Sequence, residues 1–123
     1  MELDQLTGKI IGAAIEVHRA LGPGLLESPY EQCLAFELDS MGLAFERQWP
    51  LPVIYKGNRL DCGYRIDLLV EDRVVVELKA VEAILPVHES QILSYLRLGG
   101  FEVGLLINFN VPVLKSGVKR YRV

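Results

Sequence analysis

The stretch VVVELKA, Val74–Ala80, restricts the possible folds of this chain more than any other. Three valines running into Glu77, Leu78 and Lys79 read as a strand, and its near-continuous apolar character marks a strand covered on both faces. Ahead of it lies RLDCGYRIDLLV, a second strand-forming run, with Glu71-Asp72 as the start of a turn. Behind it, a helical pattern from about Pro86 to Leu98 ends at Gly99-Gly100 and leads into the buried strand FEVGLLINF. A strand, helix and strand in that order form a parallel pair with a right-handed crossover. A strand joined to its neighbour by a short turn is antiparallel. The chain must therefore build a mixed sheet with helices against it.

The remaining segments supply the other parts. Leu6, Ile10, Ala13, Ala14 and Val17 recur at three- and four-residue spacing across residues 4–20, an amphipathic helix ended by LGPG. A second helix is expected from SPYEQ, with Ser28 as N-cap, Pro29 at the first helical position and Glu31 at the capping-box position. Its apolar stripe is Tyr30, Leu34, Leu38 and Met41, and Gly42 closes it. LAFERQWPLPVIY reads as a strand, an edge or irregular one because of Pro50 and Pro52. The expected order is α-α-β-β-β-α-β, an α/β sandwich around one mixed sheet, and LKSGVKRYRV adds a last short strand.

The 123 residues suit one domain, 1–123. Half are hydrophobic, and the mean hydropathy of +0.25 suggests apolar surface that a second copy would cover, as in a homodimer. The net charge of -3 argues against a protein that coats nucleic acid. It leaves room for an acidic metal site among local basic patches, and Lys115, Lys119, Arg120 and Arg122 form one such patch. Cys33 and Cys62 make no C-x-x-C pair, and MELDQLTGKI lacks a signal-peptide pattern, so a reduced, cytoplasmic protein is expected. No run of apolar residues is long enough to span a membrane.

The charges in the covered strands need a reason, because a buried charge costs several kcal/mol unless it is paired or bound to metal. Glu77 and Lys79 share a strand face, and Asp67 interrupts RIDLLV. A two-residue Glu71-Asp72 turn would oppose Asp67 to Val76 and separate the carboxylates. A turn closed by Glu71-Asp72-Arg73 opposes Asp67 to Glu77 and pairs Leu68 with Val76 and Val70 with Val74 on the opposite face. The second register is the consistent one. Glu27 precedes the second helix, and Gln91 and Tyr95 stand one turn apart on the helix after the E-L-K strand.

The ordered set Glu27, Asp67, Glu77-Leu78-Lys79 and Gln91-x-x-x-Tyr95 resembles the PD-(D/E)XK nuclease superfamily, and the Q-x-x-x-Y element is most similar to its RecB-like branch. GLLESPY, RIDLLVEDRVVVELKAV, HESQILSYLRL and GLLINF resemble the bacterial GxxExxY family over nearly the whole chain. One departure is that Ile66, not proline, precedes Asp67. The resemblance implies a restriction-endonuclease-like sandwich with a central mixed β-sheet flanked by helices. It implies Mg²⁺- or Mn²⁺-dependent hydrolysis of phosphodiester bonds, with DNA as the expected nucleic-acid partner. Asp67 and Glu77 would be metal ligands, with the Leu78 carbonyl as a third, and Glu27 would ligate a second ion or hold a water. Lys79 would act on water or transition-state charge, Gln91 would bond the nucleophile or a phosphate, and Tyr95 would support it. The alternative is a nuclease-fold module that binds nucleic acid or protein without cutting. His18 is a weaker ligand candidate than a structural histidine. Arg65 is expected to pair with a site carboxylate, and Trp49 and Tyr55 are expected in the core.

Overall fold

The computed structural model describes Met1–Val123. Two helices lead, α1 (Leu3–Leu21) and α2 (Glu27–Ser40). The apolar stripe foreseen for α1 is buried from Leu6 to Val17. Helix α2 starts two residues earlier than its sequence signals, with Leu26 as the N-cap and no side-chain cap. Ser28 and Pro29 therefore lie inside the first turn, where a missing proline N–H costs nothing. Tyr30, Leu34 and Leu38 are buried, but Met41 is exposed and caps the C-terminus.

The next two runs each break in the middle. LAFERQWPLPVIY divides at its prolines into β1 (Phe45–Pro50) and β2 (Val53–Tyr55). RLDCGYRIDLLV divides into β3 (Asn58–Leu60) and β4 (Arg65–Val70). The inner halves β2 and β3 pair only with each other, in a small hairpin apart from the main sheet. Strand β5 (Val74–Lys79), helix α3 (Pro86–Gly99), strand β6 (Val103–Asn108), a short 3₁₀ turn (Leu114–Gly117) and strand β7 (Val118–Arg122) complete the chain.

The main sheet runs β1-β4-β5-β6-β7, with β5 and β6 parallel and every other pair antiparallel. This is the mixed α/β architecture of a restriction-endonuclease-like fold. Leu68 pairs with Val76 and Val70 with Val74, so the register that sets Asp67 against Glu77 is the one adopted. The turn manages this with Glu71 and Asp72 both at φ 54°, and the Arg73 N–H donates to the Val70 carbonyl at 3.0 Å.

Alternate side chains serve opposite layers. Leu68, Val70, Val74, Val76 and Leu78 join α1 and α2 in a core of 19 buried residues. Leu69, Val75 and Leu106 join Ile92, Tyr95 and Leu96 of α3 in a second core of 8. Helix α3 comes close to the sheet at Gly104, where an added Cβ would lie 2.9 Å from Ile92 Cδ1. Trp49 packs on the second core, edge-on to Phe101. Tyr55 does not enter the core: its strand lies outside the main sheet, and the ring is exposed with Lys56 Nζ over it. The C-terminal basic patch is also corrected. Lys119, Arg120 and Arg122 pair with Glu89, Asp4 and Glu102 on neighbouring elements, which removes most of its free charge.

Candidate active site

The β4–β5 ladder ends at Leu68 and Val76, and one residue further on side chains replace the backbone pairing. The Asp67 N–H donates to Glu77 Oε1 at 3.2 Å, and the Leu78 N–H donates to Asp67 Oδ2 at 2.8 Å. Each carboxylate thus accepts an N–H from the opposite strand, where the ladder no longer supplies a carbonyl. From the same face of β5, Lys79 Nζ donates to Gln91 Oε1 at 3.2 Å. Gln91 Nε2 donates in turn to the Tyr95 hydroxyl at 3.1 Å, as the i, i+4 spacing on α3 allows. Five residues singled out in the sequence therefore form two linked pieces on adjoining elements. Glu27 stands apart. It opens α2 with no side-chain hydrogen bond, and it lies near enough to feel the charges of Lys79, Asp67, Glu31 and His88.

The electrostatics are unbalanced. Glu77 is 4% exposed. Burial, and then the neighbouring Asp67 charge, push its carboxyl up to about 9, with Lys79 only partly opposing them. At neutral pH Glu77 therefore holds a proton. Partial burial raises the Glu27 carboxyl as well, with Asp67 and Glu31 adding to the shift against Lys79 and His88. Burial raises the Tyr95 hydroxyl, and the Glu77 charge adds to that. For Glu77 to ionise beside Asp67 the site needs more positive charge than Lys79 brings, which a cation would supply.

The donor set suits a hard cation. Glu77 Oε2 takes no hydrogen bond from the protein, and Asp67 Oδ1 takes only a 3.3 Å bond from Gln48 Nε2. Two carboxylates, with water completing the shell, match Mg²⁺ or Mn²⁺ better than a nitrogen- and sulfur-bound metal. Nowhere do three His, Cys, Asp or Glu side chains converge on one point.

Several supporting residues were not foreseen. Glu31, expected as half of a capping box, instead accepts Arg47 Nε at 3.0 Å and Gln48 Nε2 at 2.7 Å. Gln48 lies opposite Asp67 where the β1–β4 ladder skips a pair, and its backbone takes φ 51°, unusual for a residue with a side chain. That bend lets one amide bridge Glu31 and Asp67. The only sequence signal is the polar run Glu46-Arg47-Gln48, which breaks the alternation of a strand. Tyr30 looked like core alone. Its ring stacks on Phe109 at 4.4 Å, while its hydroxyl donates to the Gly22 carbonyl at 2.6 Å and accepts the Leu25 N–H at 3.2 Å. With Gly24 at φ 102°, this fixes the loop that delivers Glu27.

One expectation moves elsewhere. Arg65 is 3.6 Å from Asp61 and donates to the Tyr64 carbonyl, so it does not bridge to a site carboxylate. Its partner lies in its own connecting loop, one helical-turn spacing away in sequence. His18 is buried and donates from Nε2 to the Val111 carbonyl at 2.8 Å, a structural role. His88 Nδ1 accepts the Leu85 N–H at the start of α3.

A model of the PD-(D/E)XK nuclease superfamily matches residues 4–121, almost the entire chain. This chain belongs to the PD-(D/E)XK nuclease superfamily. No curated protein and no solved structure matches it. Membership gives this PD-(D/E)XK protein a nuclease-like function in general terms, and nucleases of the superfamily typically use divalent metal ions. No helix is long and apolar enough to cross a membrane.

Proposed function

We propose that this PD-(D/E)XK protein is a Mg²⁺- or Mn²⁺-dependent nuclease that hydrolyses phosphodiester bonds in DNA. The observation that carries the reading is the interlock of Asp67 and Glu77 at the parting of β4 and β5, with Lys79 beside it on the same strand. Asp67, Glu77 and the Leu78 carbonyl would hold the cation. When bound, the cation supplies Lewis acidity, lowering the pKa of a water and drawing charge from the phosphate. Lys79, steered by Gln91, meets the phosphate or the attacking water and offsets the negative charge that grows on the phosphoryl oxygens. Tyr95 sets the amide of Gln91, leaving the amide oxygen for Lys79. Glu27 orders a water at the edge of the site. Water adds to phosphorus, the bond to the leaving oxygen breaks, and that oxygen takes up a proton.

The hydrogen-bonded Gln91–Tyr95 pair favours placement in the RecB-like branch. The loop tied by Gly24 and Tyr30 around Glu27 supports the narrower likeness to the GxxExxY family. The test is cleavage of DNA and RNA by purified protein with Mg²⁺ or Mn²⁺, beside Lys79→Ala. Loss of about a hundredfold or more in rate is expected for the variant, the scale of removing one electrostatic stabiliser. Cleavage that survives the substitution contradicts the assigned site. Binding without turnover under any metal assigns the chain to the non-cutting modules instead.

A further inference from the structure

A cavity of about 620 Å³ opens between α3 and the hairpin side of the molecule, and Lys79 and Gln91 form part of its wall. It is therefore continuous with the proposed reaction site. Tyr95 lines it too, and the remaining residues do nothing in the chemistry above. Val53 and Leu98 make it apolar, Tyr64 adds an aromatic face, and Ser90 and Ser94 add hydroxyl groups. Tyr64 is 44% exposed yet held edge-on to Tyr95 at 5.8 Å. A half-exposed ring fixed at the wall of a pocket is a stacking platform.

The combination selects a ligand type. On the nuclease reading, a group entering beside Lys79 would be bonded to the phosphate that Lys79 meets. A flat ring with apolar faces and a polar edge matches tyrosine and aliphatic walls with serines along one side. The volume falls within the usual range for small-ligand pockets, roughly 300–1,000 Å³, and exceeds what one base needs. The hairpin that contributes Val53 also carries Lys56 and Arg59, neither of which has an ion-pair partner.

We infer that this cavity is a nucleobase pocket for the nucleotide next to the scissile phosphate, so that the substrate is single-stranded or has an unpaired end. A base inside a duplex is stacked on both faces and paired along its edge, and it must leave the helix to enter such a pocket. The inference rests on the nuclease reading, and it names the substrate class for that same site.

The test is fluorescence anisotropy with a labelled ten-nucleotide DNA strand and its blunt duplex, in EDTA and again with Ca²⁺. The proteins are wild type, Tyr64→Ala, Tyr64→Phe and Ser94→Trp, each checked for folding by circular dichroism. Ser94→Trp fills the cavity from an exposed helical position and leaves Tyr64 in place. The single strand is expected to bind at least about tenfold tighter than the duplex. Tyr64→Ala and Ser94→Trp should each erase about tenfold of that affinity, while Tyr64→Phe keeps it, as expected for stacking of one base. Equal affinity for duplex, absence of binding, or indifference to both disruptive variants overturns the pocket. Cleavage with Mg²⁺ separates the two readings. Tyr64-dependent binding without cleavage removes the nuclease and keeps the pocket. Cleavage that favours duplex does the reverse.

Discussion

The two faces of the sheet are built from the same strands and do different work. The face under α1 and α2 is closed and mostly apolar, with Leu34, Leu68, Val74 and Leu105 all fully buried. The face under α3 has a smaller apolar core, which runs out where Asp67, Glu77, Lys79, Gln91 and Tyr95 gather. Alternation along β5 joins the two: Val74, Val76 and Leu78 point to the first face, and Val75, Glu77 and Lys79 to the second. The lesson is a division of labour. One face carries the larger share of the apolar burial, and the other holds the charges beside a smaller core.

The sharpest way to break the contrast is to cut into each face. Leu105→Ala, on the closed side, is expected to lower unfolding free energy by about 2–5 kcal/mol in urea titrations. Glu77→Gln, on the working side, is expected to raise it at pH 7, by on the order of 1–3 kcal/mol, because the neutral amide removes the cost of a buried carboxyl that wants a proton. The amide oxygen can still accept the Asp67 N–H. The same variant should have no cation-dependent activity. A Glu77→Gln protein less stable than wild type would show that the carboxylate is a structural anchor.

The pH dependence follows from the same group. The folded-state pKa of Glu77 is raised above its unfolded value of 4.5, to about 9. Its stabilising contribution is therefore whole below about 4.5 and is lost as pH rises through about 9. Metal-free wild type should lose stability across that window, and Glu77→Gln should lose less. Melting curves from pH 5 to 9 check this, and parallel slopes for the two proteins would contradict it.

Smaller effects mark the supports between the faces. Tyr30→Phe keeps the ring stack on Phe109 but removes two hydrogen bonds, and about 1–2 kcal/mol of stability should go with them. Amide exchange at Leu25 should quicken, and activity should fall through Glu27. Gln48→Ala should cost least, about 1 kcal/mol or below, because it leaves Arg47 still paired to Glu31. If Gln48→Ala cost more than Tyr30→Phe, the bridge from Glu31 to Asp67 would be the stronger support.

What was legible in the sequence was whatever depended on period and local spacing. The α1 stripe, the covered β5 and the helical Gln91–Tyr95 pair are short-range patterns. The register followed from pairing Leu68 with Val76 and Val70 with Val74, since a slip by one would have turned valines toward the wrong layer. The misses depend on partners far away in the chain. Glu31 looks like a cap until Arg47 and Gln48 arrive from β1. The C-terminal lysine and arginines look free until Asp4, Glu89 and Glu102 meet them. The separate β2–β3 hairpin was hidden because each long strand run continues past its break with strand-forming residues.

The claim at the centre is that Asp67 and Glu77 form a cation site. Thermal melts of wild type and of the Asp67→Asn, Glu77→Gln double variant, with and without Mn²⁺, test it most directly. A cation at one hundred times its Kd should stabilise wild type by about 2.7 kcal/mol, read as a rise in melting temperature. The double variant should show no rise. An equal rise in both proteins, or none in wild type, would contradict the account.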